Sequence, residues 1–416
     1  MHSTAIAGNA QSTISREYAD LRLTSAFQPI FSFTNSRPIG YEALVRATDP
    51  GGKSVSPVAL FERAARTRTT QTLDRACLEL HCETFAATVR SPSWLFLNVS
   101  PEALEREDFD VNAYRRIFAE HGILPGHVVI EILEGAISDE DAVARRVEAF
   151  RALGCLIALD DFGRGHSNFS RAWRLRPDVV KLDGEVMRNA SDDRRVALTL
   201  SRMTSLLHEA GALVLAEGVE LEYHAFLALD ADIDLVQGYY FGVPDAKLAR
   251  VSAVNFEGLY NRFREVVEAE ADRFHLTLAP YVGAIEEAVS GMEAGQSFEQ
   301  AAKLFMKLPL ADGCYLLNEA GIEIEHAASR LYVLNKFSPL ADSRTNYWGR
   351  RPYFRRALRS PRQVQLTRPY LSVRSGLRCV TCAVAFKYDG RALVFCGDIR
   401  WEAALQLALL SPPVEA

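Results

Sequence analysis

Val128 to Asp161 reads VVIEILEGAISDEDAVARRVEAFRALGCLIALDD. Two short apolar runs, VVIEIL and LIALDD, flank a segment, DEDAVARRVEAFRALG, whose apolar residues recur at helical spacing. Strands that are apolar on both faces and joined through a helix belong in a parallel sheet covered on both sides. The second run ends in two adjacent carboxylates, Asp160 and Asp161. Ionised neighbours repel, so the pair is costly unless protons or cations neutralise it. On these two residues alone a solvated turn is the simpler explanation. The rest of the chain has to choose between that and a metal site.

The same alternation runs from about residue 25 to 245. AFQPIF and IGYEALVRA, separated by the turn NSRP, read as an opening hairpin. Helical stretches follow at PVALFERAAR and TLDRACLELHCETFAATV, then the run WLFLNVS and a helix at NAYRRIFAEHG. After the quoted unit come DVVKLD, a helix at RRVALTLSRMTSLLHEAG, ALVLAEG, a further helix and DLVQGYYF. Eight strands, nearly all alternating with helices, predict an α/β fold: a (β/α)8 TIM-like barrel. The opening hairpin makes one of its strands antiparallel.

With 416 residues the chain exceeds what one core usually serves. The expected division is a barrel over 20–247, a helical connector over 248–307 interrupted at Pro280 and Gly295, and an α+β domain over 308–410. The last is rich in strands: CYLLNEAGIEIEHA with a turn at Asn318 to Gly321, VQLTRPYLSV, and CVTCAVAFKYDGRALVFCGDI with a hairpin at Asp389-Gly390. In the connector, RFREVVEAEADRFHLTLAPYVGAIEEAV keeps apolar residues at helical spacing, suited to a partner or to an adjacent sheet. Cys379 and Cys382 sit three apart in an alternating strand, which points them to opposite faces and makes them core residues rather than a shared metal or redox pair.

The net charge of −6, from 47 basic and 53 acidic residues, gives no general pull toward a nucleic acid polymer. An anionic substrate therefore needs local cations. No apolar run approaches the roughly 20 residues of a membrane-spanning helix. MHSTAIAGNAQSTISREY has neither the basic nor the apolar region of a signal peptide. The seven cysteines are scattered and mostly in apolar segments. These features lead to the expectation of a cytoplasmic protein without membrane insertion.

Glu42, Asn98, Glu131, Asp160, Asp161, Lys181, Glu217 and Gln237 lie late in, or just after, successive predicted strands. Barrels of this kind gather their chemistry at those strand ends. Five carboxylates and an asparagine, with no histidine cluster, make an oxygen-rich site that suits Mg²⁺ or Mn²⁺ rather than zinc. Two such ions would make the Asp160-Asp161 pair favourable, and two metals roughly 3.5–4 Å apart serve in-line phosphodiester hydrolysis. Lys181 could orient or deprotonate the attacking water, or stabilise developing charge.

The motifs also occur in a familiar order: FQPI at Phe27 to Ile30, EALVR at Glu42 to Arg46, LNVS at Leu97 to Ser100 and EILE at Glu131 to Glu134. DDFGRG at Asp160 to Gly165, KLD at Lys181 to Asp183, AEGVE at Ala216 to Glu220 and QGYYF at Gln237 to Phe241 complete the series. In this the chain resembles the EAL-domain family of cyclic di-GMP phosphodiesterases, over roughly residues 20–247. The resemblance implies metal ligands at Glu42, Asn98, Glu131, Asp160, Asp161 and Glu217, a catalytic lysine at Lys181 and a water-orienting glutamine at Gln237. It implies substrate contacts at Gln28, Leu44, Arg46, Asp183, Glu220 and Pro244, with Arg46 a natural phosphate clamp. Glu134 matches the glutamate that anchors the loop after the paired aspartates. The implied cofactors are two Mg²⁺ or Mn²⁺ ions per site, with Ca²⁺ inhibitory, and the implied product is linear pGpG.

Two departures from the family pattern stand out. Leu133 replaces a threonine in EXTE, and the loop DDFGTGYSS reads DDFGRGHSN here, with Arg164 and His166. The complete ligand set favours an enzyme. The altered loop motivates the alternative, a cyclic di-GMP receptor with weak or no turnover. No GGDEF-like signature accompanies these motifs. The C-terminal segment, with YWGRRPYFRRAL, TRPYLSV and FCGDI, resembles the PAS- or Cache-like domain of YkuI-type EAL proteins. That resemblance implies a regulatory role, and the long helical connector motivates the expectation that it is exercised within a homodimer. Tyr347, Trp348, Arg350, Arg351, Tyr353 and Tyr370 are the candidate residues for a small anionic or polar ligand.

Overall fold

The computed structural model describes residues 14–89, 92–134, 137–164, 169–246, 254–328 and 346–401. They fall into two compact units that divide between Phe263 and Arg264. The first contains β1 (Arg16–Tyr18), β2 (Leu21–Ser32), β3 (Arg37–Thr48), β4 (Ser54–Val55), β5 (Trp94–Asn98), β6 (Val128–Leu133), β7 (Leu156–Phe162), β8 (Val179–Leu182), β9 (Leu213–Ala216) and β10 (Leu235–Val236). Its helices are α1 (Pro57–Thr67), α2 (Thr70–Thr88), α3 (Pro101–Glu105), α4 (Val111–Glu120), α5 (Glu140–Leu153), α6 (Phe169–Leu175), α7 (Gly184–Asp192), α8 (Arg194–Glu209) and α9 (Glu222–Asp230).

Eight of these strands close into a barrel. β3 and β5 through β10 pair in sequence order and in parallel, and β2 completes the ring antiparallel to both β3 and β10. The short link from β2 to β3 permits only a hairpin, because a parallel partner needs a crossover of a dozen or more residues. This is the expected (β/α)8 barrel with one reversed strand. α5 shows how the crossovers form. The Asp139 side chain accepts from the Ala142 N–H at its start, and Gly154 ends it in the left-handed region at φ 97°. Its buried face, Val143, Val147 and Phe150, packs in the core shared with Ile157 and Leu159 of β7.

The barrel interior explains where the polar residues go. Ile30, Phe96, Val129, Ala158, Val179, Leu215 and Leu235 form one buried layer. Side chains two apart on a strand share a face. Two positions beyond these residues come Asn98, Glu131, Asp160, Lys181, Glu217 and Gln237, while Gln28 stands two before Ile30 because β2 runs in reverse. Glu42 follows Gly40 in the same way. A Cβ on Gly40 would lie 2.9 Å from the Phe96 ring, so glycine leaves that aromatic its place in the layer.

The second unit holds most of α10 (Phe256–Glu293), then α11 (Phe298–Met306), β11 (Ala311–Leu317), β12 (Glu323–Ala328), α12 (Pro352–Arg359), β13 (Gln365–Leu366), β14 (Tyr370–Leu371), β15 (Arg378–Tyr388) and β16 (Arg391–Arg400). The antiparallel sheet runs β12-β11-β16-β15-β13, with β14 also on β15. Leu278, Ile285, Phe298 and Phe305 cover one face with Cys314, Cys382 and Phe395, while Trp348, Tyr353 and Phe354 cover the other with Tyr315 and Val394. Asp389 and Gly390 link β15 to β16 with φ of 48° and 78°, the left-handed pair that a tight hairpin needs. Cys379 and Cys382 are both free and buried.

Three elements differ from the sequence reading. Pro280 does not interrupt the connector: α10 continues through it, and the break falls at Gly295, with φ of 96°. Pro280 is exposed, while Leu278, Tyr281, Ile285 and Met292 hold the helix to the sheet. Packing there outweighs the lost hydrogen bond. VQLTRPYLSV is two short strands rather than one, separated at Thr367–Pro369, where proline has no N–H to donate. DLVQGYYF pairs only through Leu235 and Val236. No helix among the described residues is long and apolar enough to cross a membrane.

Where α2 packs on β2, His81 Nδ1 lies 2.7 Å from Ser25 Oγ, and burial depresses the imidazole pKa from 6.5 to about 4. The neutral ring is therefore the folded form. Stability from this group is complete above the unfolded pKa of 6.5 and is lost as pH falls toward 4, to a limit of about 3 kcal/mol. Urea denaturation between pH 7 and 4 should show this loss, and His81→Gln should flatten the slope.

Candidate active site

Lys181, 1% exposed, is the centre of the cluster: its Nζ lies 2.7 Å from Glu131 Oε1, 2.8 Å from Glu217 Oε1, 3.1 Å from Asp160 Oδ1 and 3.9 Å from Glu42 Oε2. These residues come from β3, β6, β7, β8 and the end of β9, so the barrel geometry brings together what the sequence scatters. Burial alone would depress the Lys181 ammonium, but the carboxylates of Asp160, Glu131, Glu217 and Glu42 outweigh it and hold its pKa well above the ordinary value. Burial lifts Glu131 well above the ordinary carboxylate range, with Lys181 opposing and Glu42 and Asp160 adding to the rise. Glu217 is pushed to about 8, chiefly by burial, against the pull of Lys181 and with Asp160 and Glu42 reinforcing.

The paired aspartates solve a geometric problem. Neighbours in a regular strand point to opposite faces, yet oxygens of Asp160, Asp161 and Glu217 all lie within 4.8 Å of one another. The pairing of β7 with β8 slips between Leu159 and Phe162, and Asp161 takes a left-handed φ of 58°. That irregularity turns the second carboxylate back toward the first. Burial, then Asp160 and Asp183, raises the Asp161 pKa against the pull of Arg164.

A chain of amides closes the site on the antiparallel strand. Gln237 donates from Nε2 to Glu42 Oε2 at 2.6 Å and to Gln28 Oε1 at 3.1 Å, and Gln28 donates to the Gly242 carbonyl at 3.2 Å. Asn98 donates to Glu42 Oε1 at 3.0 Å. Leu44 and Arg46 follow Glu42 at alternate positions of β3, with one Arg46 N–H on the Val45 carbonyl at 3.0 Å. Pro244 precedes Asp245, whose backbone pairs with Phe27 beside Gln28. Asp183 accepts from the Glu185 N–H at 2.7 Å and so caps α7 while facing Asp161. Glu134 is buried just after β6. The Glu220 side chain is exposed, and no contact among the described residues draws it into this cluster. His166 lies outside the described residues.

The donor set fits divalent cations. Among the described residues, Glu131 Oε2 and the buried Oε1 of Gln237 accept no hydrogen bond, and four carboxylates surround one lysine. Buried acceptors without a protein donor suit a cation or an ordered water as their partner. Asp160, Asp161 and Glu217 bring oxygens within 4.8 Å of one another and could hold such an ion, with oxygens of Glu42, Asn98 and Glu131 close to the same lysine or to one another.

Arg171 escaped the sequence reading. Its guanidinium donates to the Glu134 carbonyl at 2.8 Å and to Glu140 Oε1 at 3.1 Å, tying α6 to the end of β6. Nothing in the spacing marks it. In the second unit, Trp348, Arg351, Tyr353 and Tyr370 do converge, with the Arg351 guanidinium 5.8 Å from the Trp348 ring and 5.2 Å from Tyr370. Tyr347 and Arg350 are exposed. The sequence reading missed their companions: Tyr315 donates to Tyr353 or accepts from it at 2.9 Å, and Thr381 donates to the buried Asp398 at 2.7 Å.

Residues 11–244, more than half of the chain, match the model of the EAL domain. Cyclic di-GMP phosphodiesterase PdeF of Escherichia coli is 27% identical over 234 residues, covering 54% of this chain and 31% of that protein. The chain spans about a third of the length of the curated relatives it matches. The Bacillus subtilis YkuI protein, solved with cyclic di-GMP and calcium, shares the fold at TM-score 0.77 and 18% identity, covering 91% of this chain and 96% of its own. A standalone EAL protein of Vibrio cholerae, bound to cyclic di-GMP, aligns at TM-score 0.51 and 25% identity, covering 58% of this chain and 99% of its own.

Removing the one ammonium should leave buried carboxylates uncompensated. Lys181→Met is expected to destabilise the metal-free protein by about 3 kcal/mol, and Glu131→Gln to leave it unchanged or more stable. Chemical denaturation in chelator reads both. Added Mn²⁺ should recover much of the Lys181→Met loss.

Proposed function

The chain belongs to the EAL-domain family, and from that premise we propose that it hydrolyses cyclic di-GMP to linear pGpG with two Mg²⁺ or Mn²⁺ ions. The observation that carries the proposal is the excess of carboxylate around Lys181, with Glu131 Oε2 accepting no hydrogen bond among the described residues. Ions held by Glu42, Asn98, Glu131, Asp160, Asp161 and Glu217 would activate water and neutralise charge on the scissile phosphate. Gln237, fixed by its two N–H bonds, offers a buried carbonyl oxygen to orient the attacking water. Lys181, which its neighbours keep protonated, is set to donate a hydrogen bond to developing charge rather than to remove a proton. Arg46 keeps guanidinium donors for a phosphate oxygen, beside Gln28 and Leu44. Asp183, Glu220 and Pro244 complete the proposed contacts, and Glu134 anchors the loop after Asp161.

A second reading rests on Arg164, whose Nη1 lies 3.5 Å from Asp161 Oδ2. A cation there favours a cyclic di-GMP receptor of low turnover. We further assign residues 20–247 to catalysis, 248–307 to a connector and 308–410 to a PAS/Cache-like regulatory domain. Its polar group around Arg351 and Tyr370 would take a small ligand, within a cytoplasmic homodimer.

Purified protein with Mg²⁺ or Mn²⁺ should convert cyclic di-GMP to pGpG, with Glu42→Ala lowering the rate roughly 100-fold or more. Ca²⁺ should inhibit, because its longer oxygen distances misplace the nucleophile. Tight binding in calorimetry without turnover under any metal would select the receptor. Absence of both binding and turnover would remove both readings.

A further inference from the structure

We propose that Arg164 is a tethered cation that competes with a divalent ion for Asp161, and so sets the metal concentration at which the site loads. The inference rests on the metal-dependent function proposed for the site. It begins with the turn after β7: the Arg164 N–H donates to the Asp161 carbonyl at 3.2 Å, which returns the side chain over the residue three positions before it. Nη1 then lies 3.5 Å from Asp161 Oδ2. The same Asp161 converges with Asp160 and Glu217, whose oxygens lie within 4.8 Å of its own. An ion held by these three carboxylates therefore shares Asp161 with the guanidinium.

Two cations on one carboxylate repel each other, so ion entry weakens the arginine pair, and the arginine pair weakens ion affinity. The magnitude is bounded by exposure. Arg164 is 65% and Asp161 28% exposed at the side chain. Solvent screens such a pair, so the penalty on the ion is modest, roughly two- to tenfold in affinity. A divalent ion still displaces the monovalent group, because its charge is double and the guanidinium can turn into solvent. Arg164 acts here as a positioning residue, through Asp161. It delays loading without preventing it.

Two properties separate this role from a structural one. The effect belongs to the charge, so Arg164→Lys should retain it and Arg164→Thr should lose it. It also belongs to an exposed pair, so the difference between the wild type and Arg164→Thr should shrink as salt shortens the screening length from about 10 Å at 0.1 M toward 3 Å at 1 M.

The experiment is a Mn²⁺ titration of the full-length protein without substrate, with free Mn²⁺ followed by electron paramagnetic resonance. The expected result is two bound ions in each protein. In Arg164→Thr the weaker ion should bind two- to tenfold tighter, Arg164→Lys should resemble the wild type, and the gain should decline at high salt. Equal or weaker affinity for that ion in Arg164→Thr, with two ions still bound, overturns this inference and leaves the proposed function standing. Fewer than two ions in both wild type and variant overturns the inference together with the function it rests on.

Discussion

The barrel is organised around one buried electrostatic imbalance: a single ammonium, Lys181, among the carboxylates of Glu42, Glu131, Asp160 and Glu217. Burying like charges costs free energy that a hydrophobic core would not. Among the described residues of the barrel interior, that cost falls at one end. The layer of Ile30, Phe96, Val129, Ala158, Val179, Leu215 and Leu235 fills the rest with apolar volume. The apolar layer fixes the strands, and the strands fix the carboxylates. The arrangement of charge is thereby set by the fold itself, which is what the proposed electrostatic catalysis requires.

The strand period explains how much of this is legible without coordinates. Phe96 and Asn98, Val129 and Glu131, Val179 and Lys181, Leu215 and Glu217, and Leu235 and Gln237 are each an apolar residue followed two places later by a polar one. A polar residue at a fixed offset in strand after strand is visible in the chain alone. The reversed strand is legible too, since the four residues between Ser32 and Arg37 leave room only for a hairpin.

What escapes the sequence depends on register and tertiary packing. Asp161 reaches the site because the β7–β8 pairing slips and its φ turns positive, and neither is encoded in the alternation of LIALDD. Pro280 misleads because its local preference is strong, whereas the packing of Leu278, Tyr281 and Ile285 is not local. Arg171 holds Glu134 from a helix that begins after the loop, so only the folded chain makes them neighbours. In the second unit, Asp398 sits in a strand that reads as plain core, FCGDI, yet it accepts from Thr381 and Tyr315 beneath the aromatic group.

The proposed function requires cations to neutralise the carboxylates around Lys181. Anomalous diffraction from a crystal grown with Mn²⁺ tests it most directly. Two peaks roughly 3.5–4 Å apart are expected, within coordination distance of Asp160, Asp161, Glu131 and Glu217. An ordered site with Mn²⁺ in the crystal and no peak among these carboxylates would contradict it.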